Sequence, residues 1–257
     1  MTQDVRSIAN FRDAGGLASR SGGTIQRGRL FRCGAPATVT PDDMAKLRAL
    51  AFGLIADLRY VGEQAHQPSV WPEDWAGRIT TYAGPADRDA PHMEFLRAGT
   101  MTMETSRQCY EQVYREVPFD PAYQAVFGRV MRGLAEGHGP MLVHCSAGKD
   151  RTGMIVALIH HALGASRDDI TENFLLSNQA AGLVDQAEIF CARLKERFDH
   201  DVPLEVMQHA LSVDESYLDV FFQELTDRAG SLDNYLESLG FDAKARESAM
   251  VHWLDFV

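Results

Sequence analysis

Residues 144–153 read His-Cys-Ser-Ala-Gly-Lys-Asp-Arg-Thr-Gly and constrain this chain more than any other stretch. Met141, Leu142 and Val143 precede them and predict the end of a buried strand. Met154, Ile155, Val156, Ala157, Leu158 and Ile159 follow and predict an apolar helix. The segment is therefore a strand, a tight loop and a helix. Cys145 lies at the start of the loop and Arg151 at its end. That layout forms a phosphate cradle with a nucleophile at its floor.

Elementary physics supports the cradle. A helix start leaves backbone N–H groups without partners, and the helix dipole is positive there. Both favour a phosphate dianion, and the same field favours a thiolate over a thiol at Cys145. Gly148 lets the backbone turn with its amides inward, as in an anion nest, with Ser146 and Ala147 on the same loop. Arg151 offers a planar fork that matches two phosphoryl oxygens. Lys149 adds a point charge, Thr152 a hydroxyl aimed at the sulfur, and His144 support beneath the loop.

The loop fits the Cys-x5-Arg signature of the cysteine-dependent protein tyrosine phosphatases. The fuller string resembles the bacterial atypical phosphatases that act on both phosphotyrosine and phosphoinositides. Asn10-Phe11-Arg12-Asp13-Ala14-Gly15-Gly16, Gly28-Arg29-Leu30-Phe31-Arg32, Asp57-Leu58-Arg59 with Glu63, and the Tyr217-Leu218 and Tyr235-Leu236 helices are similar to further segments of that family. The likeness spans most of the chain. It implies an α/β fold: a tyrosine-phosphatase-like, mostly parallel central sheet flanked by helices, with a helical lid insertion and a helical C-terminal region. The chain is expected to form one domain over residues 1–257, with an insertion over 87–120 as the candidate lid and a helical part over 165–257. It also implies that Asp150, inside the loop, serves as the general acid. Ordinary tyrosine phosphatases place that acid on a mobile loop, which makes Asp87 and Asp89 candidates by position, and Asp57 stands behind them.

Composition bounds the partners. The chain has 257 residues, 45% of them hydrophobic, which suits a globular protein. With 25 basic and 36 acidic residues the net charge is -11. Such a surface disfavours nucleic acid and anionic membrane as general partners. An anionic substrate then needs a local positive pocket, which Lys149 and Arg151 supply. Cys33, Cys109 and Cys191 show neither metal spacing nor a disulfide framework. They read as small buried hydrophobes, unless one sits near Cys145 and traps it on oxidation. Residues 1–10 lack an apolar run, and the apolar stretch 154–163 is too short to span a bilayer. The expectation is a cytoplasmic protein without stable membrane insertion, with export lacking a cleaved signal left open.

Along the chain, Thr24-Ile25 and Leu30-Phe31-Arg32 suggest an N-terminal hairpin. Arg12 and Asp13 form either an internal ion pair or a rim near the pocket. Thr40-Pro41-Asp42-Asp43 is a helix start. Leu54-Ile55-Ala56 is a buried strand with Asp57 and Arg59 at its C-terminal end, where ligands gather in α/β sheets. Asp57 is expected to orient the phosphate loop or its arginine, whereas Arg59 suits a structural salt bridge equally well. Ile79-Thr80-Thr81-Tyr82 is a further strand. Residues 90–120 carry Met93, Phe95, Leu96, Met101 and Met103, then a helix with Cys109, Tyr110, Val113 and Tyr114. They form either a lid or plain packing. Tyr123, Val126, Phe127, Val130, Met131 and Leu134 follow helical spacing. Helix starts recur at Ser166, Asp214, Ser231 and Asp242. His160 and His161 lie too far along their helix to act in catalysis.

The chemistry that follows is in-line attack of Cys145 on phosphorus, a phosphocysteine intermediate and its hydrolysis by water. Arg151 and the loop amides hold the equatorial oxygens. No metal or other cofactor is required. The expected substrates are phosphotyrosine monoesters, with phosphoserine, phosphothreonine and phosphoinositides behind them. A mainly lipid-directed phosphatase is the alternative. A rhodanese-type sulfurtransferase and a silent phosphate-binding module fit less well, because Cys145, Arg151 and the Lys-Asp-Arg-Thr-Gly continuation occur together.

Overall fold

The computed structural model describes residues 5–180 and 182–256. Its strands are β1 (Arg12–Asp13), β2 (Thr24–Ile25), β3 (Leu30–Cys33), β4 (Leu54–Asp57), β5 (Ile79–Thr81), β6 (Met141–His144) and β7 (Leu254–Asp255). Its helices are α1 (Pro41–Leu50), α2 (Val61–His66), α3 (His92–Ala98), α4 (Met103–Glu116), α5 (Pro121–Ala135), α6 (Asp150–Ala162) and α7 (Arg167–Leu175). Then come α8 (Ser177–Ala180), α9 (Ala187–Phe198), α10 (Leu204–Leu211), α11 (Glu215–Ala229), α12 (Leu232–Ser238) and α13 (Ala243–Trp253).

The main sheet runs β1-β3-β6-β4-β5. Its pairs are parallel except for β1 with β3. This is the mixed α/β architecture expected, with a mostly parallel sheet between helices and a helical C-terminal region. β6 is central, and all four of its residues are buried, as a strand covered on both faces must be. Its pleat divides the core. Leu142 joins Phe31, Ile55, Leu47 and Phe52 on one face, while Met141 and Val143 join the larger cluster with α5 and α6 on the other. In register, His144 stands between Cys33 and Asp57. All three central strands thus stop at one level, and Cys145 opens the loop just beyond it. That is the carboxyl end of the sheet, where α/β folds place their ligands.

The helices form where their residues dictate. Thr40, Ser166, Asp214, Ser231 and Asp242 each accept a backbone N–H of the first turn they cap. The α5 stripe from Tyr123 to Leu134 is buried throughout. α6 is buried nearly all round because it runs through the centre. α4 also enters the main core, through Tyr110, Val113 and Tyr114. Within residues 87–120, α3 instead packs with α9 and α10 in a smaller satellite cluster.

The N-terminal hairpin is not found. β2 pairs with β7 near the other end of the chain, and β3 pairs with β1 and β6. The long-range partners win because β3 is needed as an inner strand. Asp13 meanwhile holds the connection shut by accepting from the amides of Gly15 and Gly28. Arg12 and Asp13 therefore do different jobs instead of pairing with each other.

His160 is fully buried, and its Nε2 lies 2.8 Å from the carbonyl of Ala14. Burial, aided by Arg32 and Arg12, pulls its pKa down to about 4. The unfolded chain binds this proton from about pH 6.5 downwards, while the fold resists it until about pH 4. Stability is thus complete above pH 6.5 and declines as the pH falls towards 4, by on the order of 3 kcal/mol from this group. Urea unfolding at a series of pH values should show that decline, and His160→Gln should flatten it.

Candidate active site

The loop after β6 is shaped from outside. The carbonyl of Ser146 accepts from Ala35 N at 2.9 Å. Those of Ala147 and Gly148 accept from Asn10 Nδ2 at 3.4 and 2.7 Å. Those of Gly148 and Lys149 accept from Arg32 Nη2 at 2.8 and 3.2 Å. With successive carbonyls turned outward, the intervening amides are left for the concave side, as in an anion nest. Arg32 is only 1% exposed, so a buried guanidinium also stands behind the loop. Arg12 braces this arrangement through Asn10, the carbonyl of Asn173 and the hydroxyl of Ser177. It is a strut beneath the loop, neither a rim residue nor half of an ion pair with Asp13.

Gly148 is required twice over. Its φ is +70°, and a Cβ there would lie 2.4 Å from the backbone of Cys33. The loop packs this closely because it lies across the end of β3. Gly153, one turn into α6, leaves space that the ring of Phe174 fills, at 2.7 Å from any added Cβ.

Arg151 is gripped by Glu63 from α2. Its Nη1 lies 2.5 Å from Oε2 and its Nη2 2.9 Å from Oε1. Nη1 also donates to the carbonyl of Leu58, and the guanidinium stacks 4.8 Å over the ring of Tyr60. Glu63 accepts further from the amide of Tyr60 and the hydroxyl of Ser146. Burial opposes its charge, but Arg151 and these donors outweigh burial and hold its pKa down to about 2. In the sequence Glu63 stands only within the family likeness, without a role. A carboxylate 88 positions from its arginine has no sequence signature.

Asp150 and Lys149 form a second group. Asp150 Oδ1 accepts from the Tyr114 hydroxyl at 3.0 Å. Lys149 Nζ lies 2.8 Å from Asp150 Oδ2, donates to the carbonyl of Ser212 at 3.1 Å, and sits 4.3 Å over the ring of Tyr110. The ammonium of Lys149 is thus buried and engaged by Asp150, Ser212 and Tyr110.

Asp57 is also occupied. Arg59 donates to both its oxygens, and His144 Nδ1 lies 3.8 Å away. Burial opposes its charge and His144 and Arg59 favour it, leaving the pKa below the usual carboxylate range. Asp57 lies at the strand end beneath the loop, with Arg59 in the structural salt bridge. Among the described residues the buried hydroxyl of Thr152 has no hydrogen-bond partner, the sulfur included. Cys33 is next to the loop in sheet register, but it packs on the opposite face from Cys145.

Cys145 is 2% exposed at the floor of the loop, whereas Ser146 on its rim is exposed. A polar cleft of about 360 Å³ reaches Glu63, with Asp87, Arg88, Asp89, His92 and Arg97 on its walls. Asp87 and Asp89 stand on its outer rim, and Asp89 is paired with Arg97. His92, at the start of α3, stacks on Tyr110, and burial together with Lys149 and Arg151 pulls its pKa down to about 4. A lone histidine in an insertion gives the sequence no signal of this placement. Among the described residues no cluster of His, Cys, Asp and Glu could hold a metal ion, and no helix is long and apolar enough to cross a membrane.

Comparison with known proteins identifies the family of the chain. Residues 3–254 match the model of a tyrosine phosphatase family. A Cupriavidus necator protein, named among the tyrosine-protein phosphatases, is 34% identical over 232 residues, covering 90% of this chain and 81% of its own. The triple specificity protein phosphatase PtpB of Mycobacterium tuberculosis is 32% identical over 258 residues, covering 90% and 91%. The chain belongs to the tyrosine phosphatase family.

Two substitutions test the site's construction. Glu63→Gln leaves Arg151 without its anchor and should lower kcat/KM for p-nitrophenyl phosphate by about 100-fold, the scale expected when a reactive group is misplaced. Gly148→Ala should abolish vanadate binding, read by calorimetry, while β6 and α6 remain folded by circular dichroism.

Proposed function

We propose that this phosphatase hydrolyses phosphotyrosine monoesters through a phosphocysteine formed on Cys145. The observation that carries the proposal is the shared loop. Cys145 stands at the end of the central strand, Arg151 closes the same turn, and the carbonyls between them are pinned outward. A phosphoryl group over the sulfur would meet the loop amides of Ser146, Ala147, Gly148 and Lys149 and the fork of Arg151. Charge spreading over its equatorial oxygens in the transition state is stabilised by those donors without reorganisation.

In the first step the sulfur lone pair forms the S–P bond as the P–O bond to the leaving group breaks. Asp150 supplies the proton to that oxygen and then takes one from the water that cleaves the S–P bond. Its position inside the loop, steadied by Tyr114 and Lys149, favours it over Asp87 on the rim and Asp57 beneath the loop. Thr152, with its hydroxyl unengaged next to Arg151, is the remaining donor for the departing thiolate.

Tyr60, Tyr82 and Tyr123 pack as a buried set beside Arg151 and support it from the core. Phosphoserine and phosphothreonine fit the same loop. A phosphoinositide is the second reading, favoured by Arg197 on the cleft wall and weakened by the engagement of Lys149 and by the pairing of Arg88 and Arg97 with Asp120 and Asp89. α3 and α9, which wall the cleft, and α10, whose C-cap Ser212 accepts from Lys149, act as a lid that moves to admit substrate.

Cys145→Ser should abolish turnover of phosphotyrosyl peptide while binding persists. Retained turnover would remove Cys145 as nucleophile. Asp150→Ala should slow aryl phosphates with poor leaving groups far more than those with good ones, and equal slowing would remove Asp150 as the acid. Rates on phosphopeptides and on dispersed phosphoinositides decide between the two substrate classes.

A further inference from the structure

Next to the polar cleft lies a second cavity of about 310 Å³, enclosed by α3, α4, α9 and α10. Its walls are apolar: Met93, Leu96, Met101, Leu194, Val206 and Met207. The amphipathic stripe of α9 is left half-covered here, because Phe190, Cys191 and Leu194 are only partly buried. Three of the wall residues are methionines, whose unbranched, polarizable side chains adapt to flexible apolar ligands. His92, Met93 and Arg197 line both this cavity and the polar cleft.

The mouth is cationic. Arg193 and Arg197 line the cavity yet are exposed, so they stand where it opens to solvent. One helical turn apart on α9, they form a single patch. The net charge is -11, and Arg48, Arg88, Arg97, Arg115, Arg167 and Arg246 each have an acidic partner. Among the described residues Arg193 and Arg197 have none, apart from the stacking of Arg197 on Phe198.

An apolar cavity with two uncommitted guanidinium groups at its mouth is complementary to one kind of molecule. We infer that it binds a single-chain anionic amphiphile, with the alkyl chain among the methionines and the head group on Arg193 and Arg197. The head is a carboxylate or a phosphate monoester, since a guanidinium fork matches both. This site is separate from the phosphate loop. The ring of Tyr110 forms part of the cavity wall and carries Lys149 against it, so the partition between the two sites is one aromatic layer.

Calorimetry on the full chain tests the inference, with orthovanadate present at a concentration that saturates the phosphate loop. Dodecanoate and dodecyl phosphate, each kept below its micelle concentration, serve as probes, and dodecanol as the neutral control. At least one anionic probe should bind one per chain, with dodecanol at least about tenfold weaker, as loss of a charge-assisted contact predicts. Preference between the two anions identifies the head group. Val206→Trp should fill the cavity and abolish binding. The double variant Arg193→Glu, Arg197→Glu alters only exposed side chains and should weaken binding by about tenfold or more while thermal unfolding is unchanged. The double variant decides the matter if Val206→Trp fails to fold. Absence of saturable binding, equal affinity for dodecanol, unaltered affinity in the double variant, or binding of dodecyl phosphate only when vanadate is omitted would each overturn the inference. Because the loop is blocked throughout, none of these results depends on Cys145 being the nucleophile.

Discussion

The site depends on successive carbonyls facing the wrong way for a ligand and the right way for the protein. Ser146, Ala147, Gly148 and Lys149 direct their oxygens at Ala35, Asn10 and Arg32. A backbone oxygen turned into the cradle would repel a phosphate, so these contacts fix the sign of the potential over Cys145. The need for them explains the N-terminal segment. Asn10, Arg12 and Arg32 are far from the loop in sequence and converge on its underside, with Asn173 and Ser177 joining from α7 and α8. A chain that lost this scaffold would keep its cysteine and arginine but lose the field around them.

Charge is handled locally, against an unfavourable overall balance. The acidic surface repels anions, yet Arg32, Arg151 and Lys149 are all nearly buried around the loop. Each is kept in place by acceptors: backbone carbonyls for Arg32, Glu63 for Arg151, Asp150 and Ser212 for Lys149. Buried charges need such partners because desolvation otherwise outweighs their attraction. Glu63 accepts from both terminal nitrogens of the guanidinium and from the Ser146 hydroxyl of the loop, which fixes the direction of the fork. The same logic places Asp57 with Arg59 beneath the strand ends.

What the sequence discloses is what periodicity and local rules govern. The strand before Cys145, the α5 stripe, the central helix and the capped helix starts at Thr40, Ser166, Asp214, Ser231 and Asp242 all follow from neighbours along the chain. The loop itself is legible because its residues are contiguous. The rest depends on pairings between distant segments. β2 reads as half of a local hairpin and instead joins β7, because two short strands carry no information about partners. Glu63 finds Arg151 only once the sheet is assembled. Lys149 reads as a ligand-facing charge, and only the fold shows that Tyr110 and Ser212 receive it. His92 approaches the site on an insertion whose residues show no pattern beyond scattered methionines.

The attachment of Lys149 to Ser212 has a thermodynamic corollary. Ser212 caps the end of α10, so one buried ammonium bridges the Cys145–Arg151 loop and that helix. Any displacement of α10 would remove an acceptor from a desolvated cation, which would then recruit water or lean harder on Asp150. The position of α10 and the electrostatics of the loop are therefore linked. By reciprocity, anything that changes the lysine's appetite for its neighbours shifts α10 by the same free energy.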